Sequence, residues 1–543
     1  MTTEKSPSGR PGAPLRPTGP AAPAQPASPG GPDAYETPVT TGGPDEPDRP
    51  VTAGGPDRPV TASGPDGPDT PATPATAGRP DRRGTPMTAG GPDGHETPMT
   101  TGGPDRPDRP ATAVPAYPPD GSRPGLSGLA ALLPAITELY VGLHRHPELS
   151  GAEERTAARF ADWLAADGFR VLRGVGGHGV AAELHNGDGP AVLLRAELDA
   201  LPVAEDTGAP YASTVTAPGP DGKPVPVAHA CGHDAHLACV AGAARWLAGR
   251  RDRWRGTLLV VGQPAEENLS GAHAMLRDGL YERITPPGDV LAQHTAPFPA
   301  GMVAHAQGPL LAASTALQAV FEGDGGHVAT PHLAADPLRA AAASVLRLTS
   351  PASPADRVVV TVSSLRTGDG GPSANVLPTR AELRVSIRAF TEPALERATA
   401  AVERAVREEA AAAAVPSRVR LTVLSRSRAT VPDPDLTATV RAAHRALFGA
   451  ARVTGWPGSA ATDDFPLLTG AGAHLHGHPG IRGAYWMLGA TGPARWAAAP
   501  GTGAAAKLAA LPANHSPRFL PSPRLTLETG TAALVSAALA RLV

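Results

Sequence analysis

Ala191-Val192-Leu193-Leu194-Arg195-Ala196-Glu197-Leu198-Asp199 decides how this chain is read. Its first half is a short apolar run, the pattern of a strand covered on both faces, and it opens straight into two acids. The arrangement recurs downstream. Thr257-Leu258-Leu259-Val260-Val261-Gly262 leads into Gln263-Pro264-Ala265-Glu266-Glu267, and Asp289-Val290-Leu291-Ala292-Gln293 leads into His294. Between the first two runs lies His229-Ala230-Cys231-Gly232-His233-Asp234-Ala235-His236, which opens a small-residue helix over 235–247. Open α/β sheets gather their sites beyond the carboxyl ends of their strands. Polar clusters that each follow a buried strand therefore point to an α/β layer with its chemistry along one edge.

The pattern changes near Leu311. Residues 317–321 read as a strand, 337–348 as a helix, 358–363 and 380–390 as strands, 392–414 as a helix and 419–424 as a strand. This β-α-β-β-α-β order is the split ferredoxin-like motif, a small α+β domain over 311–425 inserted into the larger one. The larger domain is thus divided into 126–310 and 426–543. Its second part holds a helix after Pro434, a Gly-rich tract, a strand over 484–488 and a last helix over 525–542.

Toward the N-terminus order begins near Leu126. Ser150-Gly151-Ala152-Glu153 has the form of a capping box, ahead of a helical stripe of Ala157, Phe160, Ala161 and Leu164 that Gly168 ends. Before that, residues 1–125 repeat variants of Pro38-Val39-Thr40-Thr41-Gly42-Gly43-Pro44-Asp45 with almost no large apolar side chain, and are expected to be a disordered tail. The chain has 543 residues, and its net charge of −3 with no long basic or acidic run offers nothing for nucleic acid or a membrane surface. It shows no apolar leader and no stretch of spanning length. Cys231 and Cys239, its two cysteines, are badly placed for a disulfide at the start of one helix, so a reducing cytoplasm is the expected setting.

The clusters have a joint chemistry. Cys231 and His233, two residues apart in a loop, are able to point at one centre, with Asp234 and His236 behind them orienting the imidazoles. Glu267 would add a carboxylate ligand and leave Glu266 free. A Glu beside a metal-activated water is a general base, and it returns the proton to a departing amine, which amide hydrolysis requires. Thiolate, imidazole and carboxylate together suit zinc, while Mn, Co and Ni fit as well.

Four stretches, Leu143-His144-Arg145-His146-Pro147-Glu148-Leu149-Ser150, Arg195-Ala196-Glu197-Leu198-Asp199-Ala200-Leu201-Pro202, His229 to Asp234 and Gln263 to Glu267, resemble the aminoacylase/carboxypeptidase-type metallopeptidases. The likeness is to their amidohydrolase branch, which includes hippurate hydrolase and indole-acetyl-amino acid hydrolases. It extends through Gly325-Gly326-His327, Asn375-Val376-Leu377-Pro378, Asp463-Asp464-Phe465 and His515-Ser516-Pro517, covering roughly residues 126 to 543. It implies a zinc-peptidase-like α/β/α catalytic domain, and makes the inserted ferredoxin-like domain a lid that dimerises. By the same resemblance two divalent ions are held by Cys231, His233, Glu267, His294 and His515. Glu266 is the general base and acid, and Asp199 orients a ligand or spans the site. His327, supplied by the neighbouring subunit, steadies the oxyanion, and Asn375 and Arg388 contact the substrate.

Glu197 and Asp463 depart from the family by one methylene each, and the residues after His515 are less acidic than usual. His474-Leu475-His476-Gly477-His478 alternates imidazoles but has no acidic or thiol company, so it reads as a loop or pocket edge. Cys239 reads as core, and His144 and His146 as seating the first helix, with a place at the pocket edge as the alternative. The expected activity is hydrolysis of an N-acyl or N-aroyl amino acid to an acid and an amino acid. The rivals are a metallo-dipeptidase on the same site, a silent scaffold with a vacant site, and a thiol hydrolase using Cys231.

Overall fold

The computed structural model describes residues 126–542 except 220–221, 349–356, 369–373 and 413–415; the expected tail over 1–125 lies outside the described residues. The larger part opens with helices α1 (Leu129–Arg145) and α2 (Glu154–Ala166). Strands β1 (Arg170–Val175), β2 (Gly179–Asn186) and β3 (Ala191–Glu197) follow, then helix α3 (His233–Ala248). Strands β4 (Gly256–Gln263), β5 (Asp289–Pro299) and β6 (Val303–Ala306) complete this half.

The chain then builds β7 (Ala313–Glu322), α4 (Pro337–Leu348), β8 (Val359–Thr367), β9 (Arg380–Ala389), α5 (Glu392–Ala411) and β10 (Arg418–Ser427). It returns to the larger part for α6 (Pro434–Phe448), β11 (Val453–Trp456), β12 (Arg482–Thr491) and α7 (Pro523–Leu539).

One eight-stranded sheet runs β1-β2-β4-β3-β5-β12-β6-β11. Its centre, β4-β3-β5-β12, is parallel, with Arg195 level with Val261 on one side and Ala292 on the other, and His294 level with Met487. This register brings the polar residues after β3 and β4 and His294 on β5 to one edge. The central strands are buried on both faces, as their unbroken apolar runs demand. On one face α1, α3 and α7 pack around Ile136, Trp246 and Leu527, and on the other Met275, Tyr281 and Phe465 form a second core. Small residues let α3 and α7 approach closely: a Cβ on Gly530 would lie 2.6 Å from Cys239 Sγ. Cys239 is core, as its setting on α3 suggests, and burial lifts its thiol pKa to about 12.

The smaller sheet is antiparallel in the order β8-β9-β7-β10, with α4 and α5 packed on Leu317, Phe321, Leu383 and Ile387. The six elements occur in the expected order.

Two local expectations are corrected. The capping box at Ser150 does not form: α2 starts at Glu154, and its first amides, from Arg155 and Thr156, donate to Glu148 at 3.2 and 2.8 Å. Ser150 instead donates to Asp199 Oδ2 at 2.7 Å, drawn away by a buried carboxylate with a stronger demand for donors. His146 is exposed just past the end of α1 and seats nothing. His144 does fasten that helix, with Nδ1 2.6 Å from Asp234 and Nε2 3.0 Å from Glu205. Among the described residues no helix is long and apolar enough to cross a membrane.

Candidate active site

A cavity of about 570 Å³ opens over the carboxyl edge of the central strands, with Cys231, Glu266, Glu267, His294, Arg388 and His515 in its wall. Backbone conformation brings these side chains together. Gly232 holds φ at 85°, and a Cβ there would lie 2.4 Å from Thr295 Oγ1, so only glycine allows the turn that aims Cys231 and His233 inward. Ala265 and His515 also adopt left-handed backbone, at φ 47° and 71°. Such a residue costs about 1–2 kcal/mol without glycine's freedom, and both lie where the chain presents functional side chains.

Two of the donor groups among the described residues have a common member. The donor atoms of Cys231, His233 and His294 lie within 4.8 Å of one another, and so do those of Cys231, Glu267 and His515. Cys231 Sγ is 3.4 Å from His294 Nε2, and His515 Nε2 is 3.3 Å from Glu267 Oε2. His233 Nε2 and Glu267 Oε1 are buried with no hydrogen-bond partner, an expensive condition unless something else satisfies them. A thiol, three imidazoles and a carboxylate in two sets around a shared sulfur fit a pair of divalent cations.

Partners behind the donors select which atom each presents. Asp199 Oδ1 is 3.1 Å from His233 Nδ1, and Oδ2 accepts from the Glu267 amide at 2.9 Å. His294 Nδ1 is 2.8 Å from the Thr295 carbonyl, which only accepts, so Nε2 is the bare nitrogen facing Cys231. Asn514, which sequence reading missed, donates to the Cys231 and Thr295 carbonyls at 3.1 Å each. Its one signal was its place next to His515. Asp234 and His236 do not orient the inward imidazoles as expected. Asp234 faces His144, and His236 is occupied by Glu197 at 2.8 Å and by the Thr295 amide at 2.8 Å.

Glu266 belongs to neither of these two sets but is close to a member of each: its donor atom lies within 4.8 Å of those of His233 and Glu267, with Oε2 3.7 Å from His233 Nε2. Burial, then the charges of Asp463 and Glu267, raise its pKa well above the usual carboxylate range. Below it Arg195 is fully buried between Glu197, Asp463 and Asp464, with Nη2 2.9 Å from Asp463 Oδ1. Tyr485 Oη donates to Asp463 at 2.6 Å. Glu197 and Asp463 thus converge on one guanidinium. An arginine inside an apolar strand was the available signal for this network. Burial, opposed by Arg195 and aided by Asp463, lifts Asp464 to about 7.

Arg388 is half-buried, its Nη1 donating to the Ala460 carbonyl at 2.7 Å and its Nε to Ser386 Oγ at 3.3 Å. His327 and Asn375 are not brought here. Both are exposed at a ribbon in which His327 pairs with Val376, and neither lines the cavity. Among the described residues the alternating imidazoles form no metal group: His476 and His478 stack at 5.7 Å with Tyr281 edge-on, and His474 borders another cavity of about 900 Å³.

Known proteins share this arrangement of sequence and fold. The family described as Peptidase family M20/M25/M40 matches residues 193–497. N-acetylcysteine deacetylase of Bacillus subtilis (strain 168) is 35% identical over 259 residues, which is 46% of this chain and 64% of that protein. Hippurate hydrolase of Campylobacter jejuni is 34% identical over 254 residues, 46% of this chain and 62% of that protein. The chain therefore spans less than two thirds of the length of these curated relatives. A Bacillus subtilis structure described as a dinuclear metal binding peptidase from the M20 family superposes with a TM-score of 0.56 at 25% identity, covering 76% of this chain and all of that one. With a family match over more than half its length, the chain belongs to peptidase family M20/M25/M40.

Proposed function

We propose that the protein is a two-metal amidohydrolase that cleaves N-acyl or N-aroyl amino acids to a carboxylic acid and an amino acid. The observation that supports this most is the pair of donor sets sharing Cys231, with atoms of His233 and Glu267 buried without a hydrogen-bond partner, beside Glu266, which belongs to neither set. The names of the similar deacetylase and hippurate hydrolase, and of the dinuclear M20 structure, agree with it. Cys231, His233 and His294 would hold one cation, and Cys231, Glu267 and His515 the other, zinc being the best match with Mn, Co and Ni close behind. Bound there, divalent cations supply the positive charge that acidifies a water and polarises an amide carbonyl.

The chain's own groups do the rest. Glu266, with its raised pKa, takes a proton from the attacking water and hands it to the departing nitrogen. Asp199 keeps His233 in one tautomer. Arg388, fixed by Ala460 and Ser386, is left to receive the substrate carboxylate. Leu269, Pro297, Leu311, Trp456, Met487 and Leu508 give the cavity an apolar wall for the acyl group.

His327 and Asn375 complete the site from a partner subunit in a homodimer formed through the small domain. Supporting this, Leu338, Val359, Leu365 and Val376 of that domain are exposed apolar residues. The protein acts in the reducing cytoplasm, where its two free cysteines remain thiols.

The test is Glu266→Ala in the full chain, assayed on N-acyl amino acids and on dipeptides, with metal content measured in parallel. Turnover falls by at least about 10²-fold while metal is retained. Wild-type turnover in the variant rejects the assignment, and a preference for dipeptides makes the protein a peptidase.

A further inference from the structure

Trp456 stands in two walls at once. One is that of the cavity just described; the other belongs to a second cavity of about 440 Å³ bordered by His305, Gln307, Arg357, Arg441 and Pro457. Among the described residues no Asp or Glu lines the second cavity. Arg441, on α6, buries its Nε with no acceptor, and Trp456 Nε1 is buried without one as well. Arg357 lies with its guanidinium carbon 3.7 Å from the centre of the Phe390 ring and donates through Nη2 to the Pro457 carbonyl at 3.2 Å. Neither arginine forms an ion pair among the described residues.

His305 adds no charge. His444 Nε2 is 3.0 Å from the Ala533 carbonyl, which only accepts, so that nitrogen holds the hydrogen. His444 Nδ1 then accepts from His305 Nε2, 3.0 Å away. Burial, with His444, Arg441 and Arg445 nearby, pushes His305 down to about 2. The positive charge here comes from the two guanidinium groups.

A buried N–H without an acceptor costs free energy, and two belong to residues that line this cavity, beside arginines that meet no carboxylate among the described residues; what both lack is a negatively charged acceptor. We propose that this cavity is a second binding site, separate from the hydrolytic one, for a carboxylate or phosphate oxyanion held by Arg441 and Arg357 and by the Trp456 indole N–H. An arginine offers several N–H groups in a planar fork matched to either oxyanion. Since the same indole forms part of the apolar wall of the hydrolytic cavity, an occupied anion site restrains that wall, and its effect falls on KM rather than on kcat.

The test is calorimetric titration of the full-length, metal-loaded protein with inorganic phosphate and, separately, with acetate, at constant ionic strength set by chloride. The anion that binds more tightly identifies the oxyanion. Arg441→Gln and Arg357→Gln each weaken that binding about tenfold or more, the loss of one charge-assisted contact, and leave kcat unchanged. Arg388→Gln, in the hydrolytic cavity, leaves this binding step intact. If Arg441→Gln does not fold, the exposed Arg357→Gln decides the question alone. Equal affinity in wild type and the two variants overturns the proposal. So does a loss seen only in Arg388→Gln, which would place the anion in the hydrolytic cavity, or no binding of either anion at millimolar concentration.

Discussion

Asp199 and His233 are locked together: the Asp199 carboxylate and its own backbone carbonyl lie 3.1 and 3.0 Å from the same ring nitrogen, Nδ1. That pairing leaves Nε2 facing Glu266 and Glu267, at 3.7 and 3.8 Å, without a hydrogen bond to either. Asp199→Ala should therefore leave the fold standing and lower metal affinity by about 10–100-fold, the usual effect of losing a ligand's orienting partner. Competition with a chelator measures it, and unchanged affinity would show that packing alone positions His233.

Cys231 belongs to both donor sets, whereas His294 belongs to one. Elemental analysis should find that His294→Ala loses one cation and keeps the other, held by Cys231, Glu267 and His515. Cys231→Ala should lose both. Equal stoichiometry in the two variants would contradict a shared thiolate.

Buried histidines make stability depend on pH in opposite senses. Burial disfavours a charged His144, but Asp234 and Glu205 outweigh it and lift its pKa from 6.5 to about 10. Its contribution is complete below pH 6.5 and is lost as the pH climbs toward 10. Burial lowers His444 from 6.5 to about 4, so the unfolded chain takes up a proton that the fold refuses, and stability falls as the pH drops from 6.5 toward 4. Urea unfolding at about pH 5, 7 and 9 tests both limbs. His144→Gln should flatten the alkaline limb and His444→Gln the acid one, and limbs of wild-type slope in these variants would assign them to other groups.

If His327 serves a neighbouring subunit, two inactive variants should repair one another. Mixing His327→Ala with Glu266→Ala under conditions that exchange subunits should restore activity to about a quarter of the sites, the fraction random pairing in a two-fold dimer allows. Continued inactivity of the exchanged mixture would place His327 in its own chain's site or outside the reaction.

Much of this architecture is legible in local pattern. The runs at Ala191, Thr257 and Asp289 read as buried strands because strands covered on both faces cannot alternate polar and apolar residues. The helix after Cys231 and the six elements of the small domain follow from period and composition. Ser150 misled for a specific reason: its helix-capping pattern is real, but a buried acid nearly fifty positions away competes for the hydroxyl. Arg195 was passed over because an apolar strand hides one polar side chain until its three carboxylate partners are known.

By itself the sequence determined the kinds of element, their order and the chemical types of the ligands, since each depends on residues within a few positions of one another. Tertiary structure alone decided that Cys231 is common to two donor sets, that Asp234 turns away to His144, that His327 and Asn375 stand outside the cavity, and that Trp456 separates two cavities. Those facts depend on strand register, such as His294 level with Met487, and on turns that pass through left-handed backbone. Distances between segments a hundred or more residues apart are set by how a whole sheet packs, and no local pattern encodes them.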